Sequence, residues 1–361
     1  MKKLRIGFLS TANIGRTNWK AVFNSGNCVI SAVASRDVKR SRQFIREGQR
    51  KFPFAAEPAA LGSYEELLKS ESVDAVYVPL PTGLRKEWIL RAAAAGKHII
   101  CEKPCGVSFA DVQEMAAACR KNRVQFMDGV MFMHGPRLPR VRKVLDDQKG
   151  VGSIRRISSA FSFCGNNEFS RDNIRLDGRL EPAGCLGDLG WYCLRFTLWT
   201  MKWQLPHTVT GRILSESKPT GGRVPAPTEF SGELFFDGNV SAEFYCSFLV
   251  ADQQWAFVSG SKGWLRVPDF VHPFNSREPA FEVNRVEIRV REAGAGQRRT
   301  RIPESADLGH ATAQNTIMFR NFARQVFSGK FNADWPMWVL KTQQVQDACL
   351  EAARKNRSVT P

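Results

Sequence analysis

The stretch Gly96-Lys97-His98-Ile99-Ile100-Cys101-Glu102-Lys103-Pro104 decides how this chain is read. His98 to Cys101 is a short apolar run between a turn glycine and a proline-terminated segment, the pattern of a buried strand. Glu102 and Lys103 follow at its carboxyl end, where open α/β sheets hold their ligand crevice. Pro104 fixes its own φ and keeps Lys103 out of the α region, so the backbone there is extended and stiff. Such a backbone holds an ammonium group still at the mouth of a sheet. The same residues also fit a surface Glu–Lys pair ahead of a loop, and the rest of the chain has to separate the two readings.

Upstream, Leu4 to Leu9 is a strand signal that runs into Ser10-Thr11-Ala12-Asn13-Ile14-Gly15, followed by an amphipathic stretch from Arg16 to Asn24. Strand, small-residue turn and helix together place a helix N-terminus against a pyrophosphate. The spacing of the dinucleotide fingerprint is kept, but Ser10 and Ala12 stand for its first two glycines and only Gly15 remains. A second strand, Val29 to Ala34, ends in Ser35-Arg36-Asp37. An acid directly after this strand would bind a ribose 2′-hydroxyl. Serine and arginine suit a 2′-phosphate, which a guanidinium grips as a fork, so NADP is expected ahead of NAD. Asp37 is then the cap of the basic helix that starts near Lys39.

Tyr64 to Leu68 reads as a short helix and Val73 to Val78 as a strand ending in Pro79-Leu80-Pro81-Thr82-Gly83. The next helix is expected to turn Trp88, Ile89 and Ala92 inward. Ser108 caps a helix to Lys121, and Val124 to Met127 is the next strand. Strands alternating with helices at this spacing predict an α/β Rossmann domain with a doubly wound parallel sheet. From Gly129 the texture changes. Pro136 to Asp147 is helical, Ile154 to Phe163 is a long strand, and Asn166 to Pro182 is irregular. Gly184 to Tyr192 opens a helix to about Met201. Val209 to Ile302 reads as antiparallel strands, with a hairpin around Asp237-Gly238 and a second pair flanking Gly260 to Gly263. Lys218 to Pro227 is a loop, and helices from Ala313 and Pro336 close the chain.

At 361 residues two domains are expected. The composition, 43% hydrophobic and 24% charged, is that of an ordinary globular protein. No apolar run is long enough to span a bilayer, and the Met1-Lys2-Lys3 start precedes only a four-residue apolar run, Ile6 to Leu9, so a cytoplasmic protein without membrane contact is expected. Nine cysteines without a CxxC suit reduced thiols, and five scattered histidines offer no metal site. The formal charge of +17 is dispersed, without an aromatic-interleaved basic patch. A solvated arginine-rich surface, not a nucleic-acid site, is the expectation.

Asp188 and Tyr192 are four apart, which puts them one turn apart on one helical face. A phenol, with an ordinary pKa of about 10, is a poor acid or base at neutral pH unless a cation stabilises its phenolate. Lys103 would be that cation, giving a coupled pair for proton transfer at a carbonyl or carbinol. Alternatively Asp188 caps the helix after Gly187 and Tyr192 is core.

The combination resembles the glucose–fructose oxidoreductase / inositol dehydrogenase (Gfo/Idh/MocA) family. The resemblance rests on Ser10 to Gly15, Ser35-Arg36, Pro81-Thr82, Gly96-Lys97-His98, Glu102-Lys103-Pro104 and Gly184 to Tyr192, and it covers essentially the whole chain. It implies a Rossmann domain over 1–128 and an α+β domain over 129–361 with a large, mostly antiparallel open-faced sheet used for oligomerisation. The last helices would pack back on the Rossmann domain. It implies NADP, with NAD as the other possibility, held by Ser10, Ala12, Asn13, Ile14, Gly15, Ser35, Arg36, Leu80, Pro81, Thr82, Arg85, Glu102, Lys103 and Met131. Lys103, Tyr192 and Asp188 would be catalytic, and Lys103, Arg175, Asp188 and Tyr192 would meet a sugar, inositol or trans-diol. Tyrosine at 192, where the family most often carries histidine, is similar to the glucose–fructose oxidoreductase and dimeric dihydrodiol dehydrogenase branches, and the chain as a whole resembles the latter more. Arg85 stands where Pro-Thr-x-x-His has its histidine, and is expected to add charge near the crevice. With the altered glycine turn, it also admits a cofactor-binding sensor without turnover.

Overall fold

The structure is a computed structural model that describes residues 2–147, 149–218, 222–273, 280–288, 295–303 and 312–361. The chain divides into two compact units, Met1–Gly135 with Asp307–Leu340, and Pro136–Ala306 with Lys341–Pro361.

In the first unit β1 (Leu4–Leu9), β2 (Cys28–Ala34), β3 (Ala59–Leu61), β4 (Ala75–Val78), β5 (His98–Cys101) and β6 (Phe126–Asp128) form one sheet in the order β3-β2-β1-β4-β5-β6. All its pairings are parallel. The order reverses between β1 and β4, which makes their carboxyl ends the switch point of a doubly wound sheet. The connecting helices are α1 (Asn13–Ser25), α2 (Val38–Lys51), α3 (Tyr64–Lys69), α4 (Thr82–Ala94) and α5 (Phe109–Lys121). Ile6, Phe8 and Leu9 are buried, as are Val76, Tyr77 and Val78, so the strands read as unbroken apolar runs. β3 escaped the sequence reading because Ala59-Ala60-Leu61 is too short to carry a period. β4 and β6 begin later than expected; Asp74, just ahead of β4, is pinned by Arg5 at 2.6 Å.

Two local caps match their residues. Asp37 accepts from the Lys39 amide at 2.9 Å and Ser108 from the Asp111 amide at 3.2 Å. One expectation is corrected. Trp88 is half-buried against Tyr64, with Arg91 over its ring, because the inward stripe of α4 runs through Thr82, Arg85, Ile89 and Ala92.

The chain's α9 (Gln314–Phe327) packs on α1 in this unit. Asn315 donates to Asn18 at 3.1 Å and Arg320 to the Ser25 carbonyl at 3.0 Å.

The second unit holds α6 (Arg137–Asp146), α7 (Asn167–Asp172), α8 (Trp191–Thr200) and an eight-stranded sheet. Its strands are β7 (Ile154–Ser162), β8 (Thr208–Glu216), β9 (Pro227–Phe236), β10 (Val240–Ser247), β11 (Gln253–Gly260), β12 (Gly263–Val267), β13 (Ala280–Ile288) and β14 (Ala295–Pro303). They lie in the order β14-β13-β12-β11-β7-β10-β9-β8, antiparallel except where β7 and β10 pair in parallel. The β9–β10 hairpin pairs Phe236 with Val240 across Asp237–Asn239, and β11 meets β12 at Gly260 and Gly263. Alternation splits the late aromatic residues. Phe244 and Phe248 are core, while Phe235, Tyr245, Trp255, Phe257 and Trp264 are half-buried. Positions 219–221 of the expected loop lie outside the described residues. The last helix, α10, spans Asp334–Lys355.

Among the described residues no helix is long and apolar enough to cross a membrane, and no cluster of His, Cys, Asp or Glu has the make-up of a metal site. All nine cysteines are free thiols, eight of them buried. Burial pushes Cys28, Cys119 and Cys193 up to about 12, so these thiols are unreactive at neutral pH.

Candidate active site

The sheet of the first unit delivers the expected cofactor residues to one edge. Ser10 follows β1, Ser35 and Arg36 follow β2, Leu80 to Thr82 follow β4, Glu102 and Lys103 follow β5, and Met131 comes after β6. Ser10 has φ +131°, a conformation natural to the glycine it replaces, and its hydroxyl accepts from the Ala12 amide at 3.3 Å. No side chain caps α1 and its first turn carries no acid, so the amides of Asn13 and Ile14 and the positive end of the helix dipole are left for an anion. A Cβ on Gly15 would lie 3.1 Å from the Phe44 ring, which explains why this glycine alone is retained. These features fit a dinucleotide pyrophosphate despite the missing glycines.

Ser35 is buried, and its hydroxyl accepts from the Asp37 amide at 3.5 Å, whereas Arg36 is exposed. The sequence reading passed over Arg40. Its charge and that of Arg36 both act on Tyr64, so two guanidinium groups lie within electrostatic reach of one ring beyond β2. Leu80 and Thr82 are buried with Pro81 between them half-exposed, and Met131 is buried in the turn Met131–His134.

Cys101, Glu102, Pro104, Cys105 and Gly106 are all buried; within that run only Lys103 is half-exposed. Glu102 accepts from the Tyr77 hydroxyl at 2.6 Å and from Asn18 at 3.4 Å, and Asn18 also donates to Tyr77 at 2.6 Å. Burial first, and then the Glu102 carboxylate, hold the Tyr77 phenol well above its ordinary range, so it remains a donor. Gly129 makes room for this network, since a Cβ there would sit 3.0 Å from a Glu102 oxygen. Glu102 thus anchors the strand end from below. The network members Asn18, Tyr77 and Asn315 were not foreseen. Asn18 left one signal, a polar residue on the buried stripe of α1, and Asn315 none.

Arg85, expected to add charge near the crevice, is buried. It is 5% exposed, and it donates to the Leu80 carbonyl at 2.7 Å and to the Pro104 carbonyl. Its charge is thus buried against the backbone that follows β4 and β5.

The second unit gathers Arg175, Asp188 and Tyr192. Arg175 Nε lies 2.7 Å from an Asp188 oxygen, the side chains being 39% and 13% exposed. The Asp188 carboxylate raises the Arg175 guanidinium above its ordinary range, burial opposes this, and Glu181 and Tyr192 add to it. Tyr192 is 6% exposed, its ring 5.6 Å from Phe161, which in turn meets His272 at 6.5 Å. Asp188 and Tyr192 are not one α-helical turn apart as expected. Leu186–Gly190 is a π-turn that runs into α8, a wider turn that re-aims its side chains. Glycines permit it. A Cβ on Gly184 (φ +47°) would lie 2.1 Å from the Pro227 carbonyl, and one on Gly190 2.9 Å from Leu186.

Residues 4–130 match the oxidoreductase family with an NAD-binding Rossmann fold, and residues 139–266 match the GFO/IDH/MocA C-terminal domain. This chain belongs to the GFO/IDH/MocA family. Within it, the chain is 31% identical over 241 residues to human trans-1,2-dihydrobenzene-1,2-diol dehydrogenase, a match spanning 66% of each protein and so just under two thirds of that relative's length. It is 29% identical to a Haloferax volcanii D-xylose 1-dehydrogenase (NADP(+)), with 78% of each chain covered. Among solved structures, the 3-ketoreductase KijD10 from Actinomadura kijaniata, in complex with NADP and TDP-benzene, superposes with a TM-score of 0.81. That match has 25% identity and covers 97% of this chain and 98% of the other. A levoglucosan dehydrogenase, at 16% identity and a TM-score of 0.82, shares the fold over 99% of both chains. GFO/IDH/MocA membership thus spans both units.

Proposed function

We propose that this protein is an NADP-dependent oxidoreductase that passes hydride between the nicotinamide and a carbinol or carbonyl carbon of a sugar, inositol or trans-diol. The observation that carries this reading is Lys103, the one half-exposed residue in an otherwise buried run at the carboxyl end of β5. Family membership and the names of the relatives support it. NADP, when bound, supplies the hydride acceptor or donor. The Ser10–Gly15 turn and the start of α1 would hold its pyrophosphate, Ser35 and Arg36 its 2′-phosphate, and Leu80, Pro81, Thr82 and Met131 its nicotinamide half. The Lys103 ammonium holds and polarises the substrate oxygen, and Tyr192 exchanges the hydroxyl proton. Asp188 and Arg175 orient Tyr192 and bind neighbouring hydroxyls.

The half-buried aromatic face of the second sheet supports a homo-oligomer, and nine unpaired cysteines support a cytoplasmic setting. A screen of aldoses, inositols and trans-diols with NADP+ tests the activity. Lys103→Met is expected to lower turnover by about 10²–10⁴-fold while leaving NADPH affinity intact. Normal turnover by this variant removes Lys103 from the mechanism.

A further inference from the structure

We propose that Arg85 is a positioning residue for Lys103, its buried guanidinium tying the Pro104 carbonyl to the Leu80 carbonyl and so fixing the segment that presents the lysine. The proposal rests on the reading of Lys103 given above. Leu80 follows β4 and Pro104 follows β5, both beyond the sheet ladder, and both residues are buried. Buried carbonyls outside a ladder need a donor. Arg85 meets both from the first turn of α4, with Nε on Leu80 at 2.7 Å and Nη1 on Pro104.

A guanidinium is a rigid planar fork, so two acceptors held by its different nitrogens are held at a fixed separation from each other. An ammonium group on a flexible stem keeps the charge but not the fork, and an imidazole cannot span the two carbonyls in the same way. On the other flank, Glu102 is fixed by Tyr77 and Asn18. Lys103 is therefore held between two anchors, one on each neighbouring residue. Arg85 and Glu102 also act on the Tyr77 phenol with opposite sign, so the charges of the buried cation and the buried carboxylate partly offset each other there.

The fork also accounts for the departure from Pro-Thr-x-x-His. With its charge buried at 5% exposure, Arg85 acts through the backbone it holds.

The test compares Arg85→Lys, Arg85→Gln and Arg85→Met with the wild type. NADPH affinity is measured by fluorescence titration, kcat and KM on the best substrate of the screen, and the reactivity of Lys103 by competitive acetylation against pH with mass-spectrometric readout. The expected result is a loss of about 10²-fold in kcat for Arg85→Met, the scale of an ångström-level misplacement. Arg85→Lys should be intermediate, and added guanidinium should partly restore Arg85→Met. NADPH affinity should hold, and the acetylation profile should change for Lys103 but not for Lys97. Wild-type kcat together with an unchanged Lys103 profile overturns the proposal. So does a parallel fall of kcat, NADPH affinity and thermal stability without guanidinium rescue, the pattern of a purely structural arginine. Should Arg85→Met not fold, the Lys and Gln variants carry the same comparison. If Lys103→Met turns over normally, the catalytic assignment fails by itself, and the acetylation arm still reports whether Arg85 sets the lysine's position.

Discussion

Ser10 holds a backbone angle, φ +131°, that an L side chain rarely adopts, at the position where the dinucleotide fingerprint has glycine. The chain has changed the residue and kept the conformation, at a cost on the order of 1–3 kcal/mol. The weak bond from the Ala12 amide to the Ser10 hydroxyl offsets part of it. Ser10→Gly is therefore expected to stabilise the protein by about 1 kcal/mol in denaturant melts, without loss of NADPH binding. An unchanged or lowered midpoint would show that the turn is relaxed. At this scale the sequence was partly legible. The caps Asp37 and Ser108 announce themselves through neighbours a few residues away. The pairing of Arg175 with Asp188 bridges an irregular stretch, and Asn18 meets Asn315 from 297 positions away, so neither leaves a local signal. Arg85 was visible as a departure, but its burial was not.

Among the elements, β1 and β5 were legible to the residue because both of their faces are covered and the apolar runs end in a turn residue or a charge. β3, three residues on the sheet edge, has no period to read. The π-turn at Leu186–Gly190 was read as α-helix because its glycines fix close packing, not a spacing. His98, at the head of β5, ties that strand to β6 by accepting from the Gln125 amide at 2.9 Å through Nδ1. Burial, partly opposed by Asp74, pushes the imidazole below its ordinary range. The unfolded chain thus binds a proton that folded His98 refuses. The stability contributed by the neutral ring is complete above the unfolded value of about 6.5 and falls as the pH drops below it. Thermal melts between pH 7.5 and 5.5 should show a steeper loss for the wild type than for His98→Gln, which can still accept from the amide but does not titrate. Parallel curves would mean that another group governs the acid limb.

For the whole molecule, the two-part division and the mostly antiparallel second sheet were readable from the change of texture after residue 129. The expectation that a last helix packs back on the Rossmann domain came from the family resemblance and not from composition, and the long-range contacts of Asn315 and Arg320 in α9 carry it. At the carboxyl end of β2 the charge of +17 takes the form of exposed Arg36 and Arg40. Arg36 is the residue proposed to hold the 2′-phosphate of the cofactor. The most direct test titrates wild type and Arg36→Ala with NADPH and NADH side by side, following nicotinamide fluorescence. The account predicts that the wild type prefers NADPH, and that Arg36→Ala weakens NADPH by tenfold or more, about 1.4 kcal/mol, with NADH little changed. Equal affinities in the wild type, an equal loss of both in the variant, or binding of neither would contradict it.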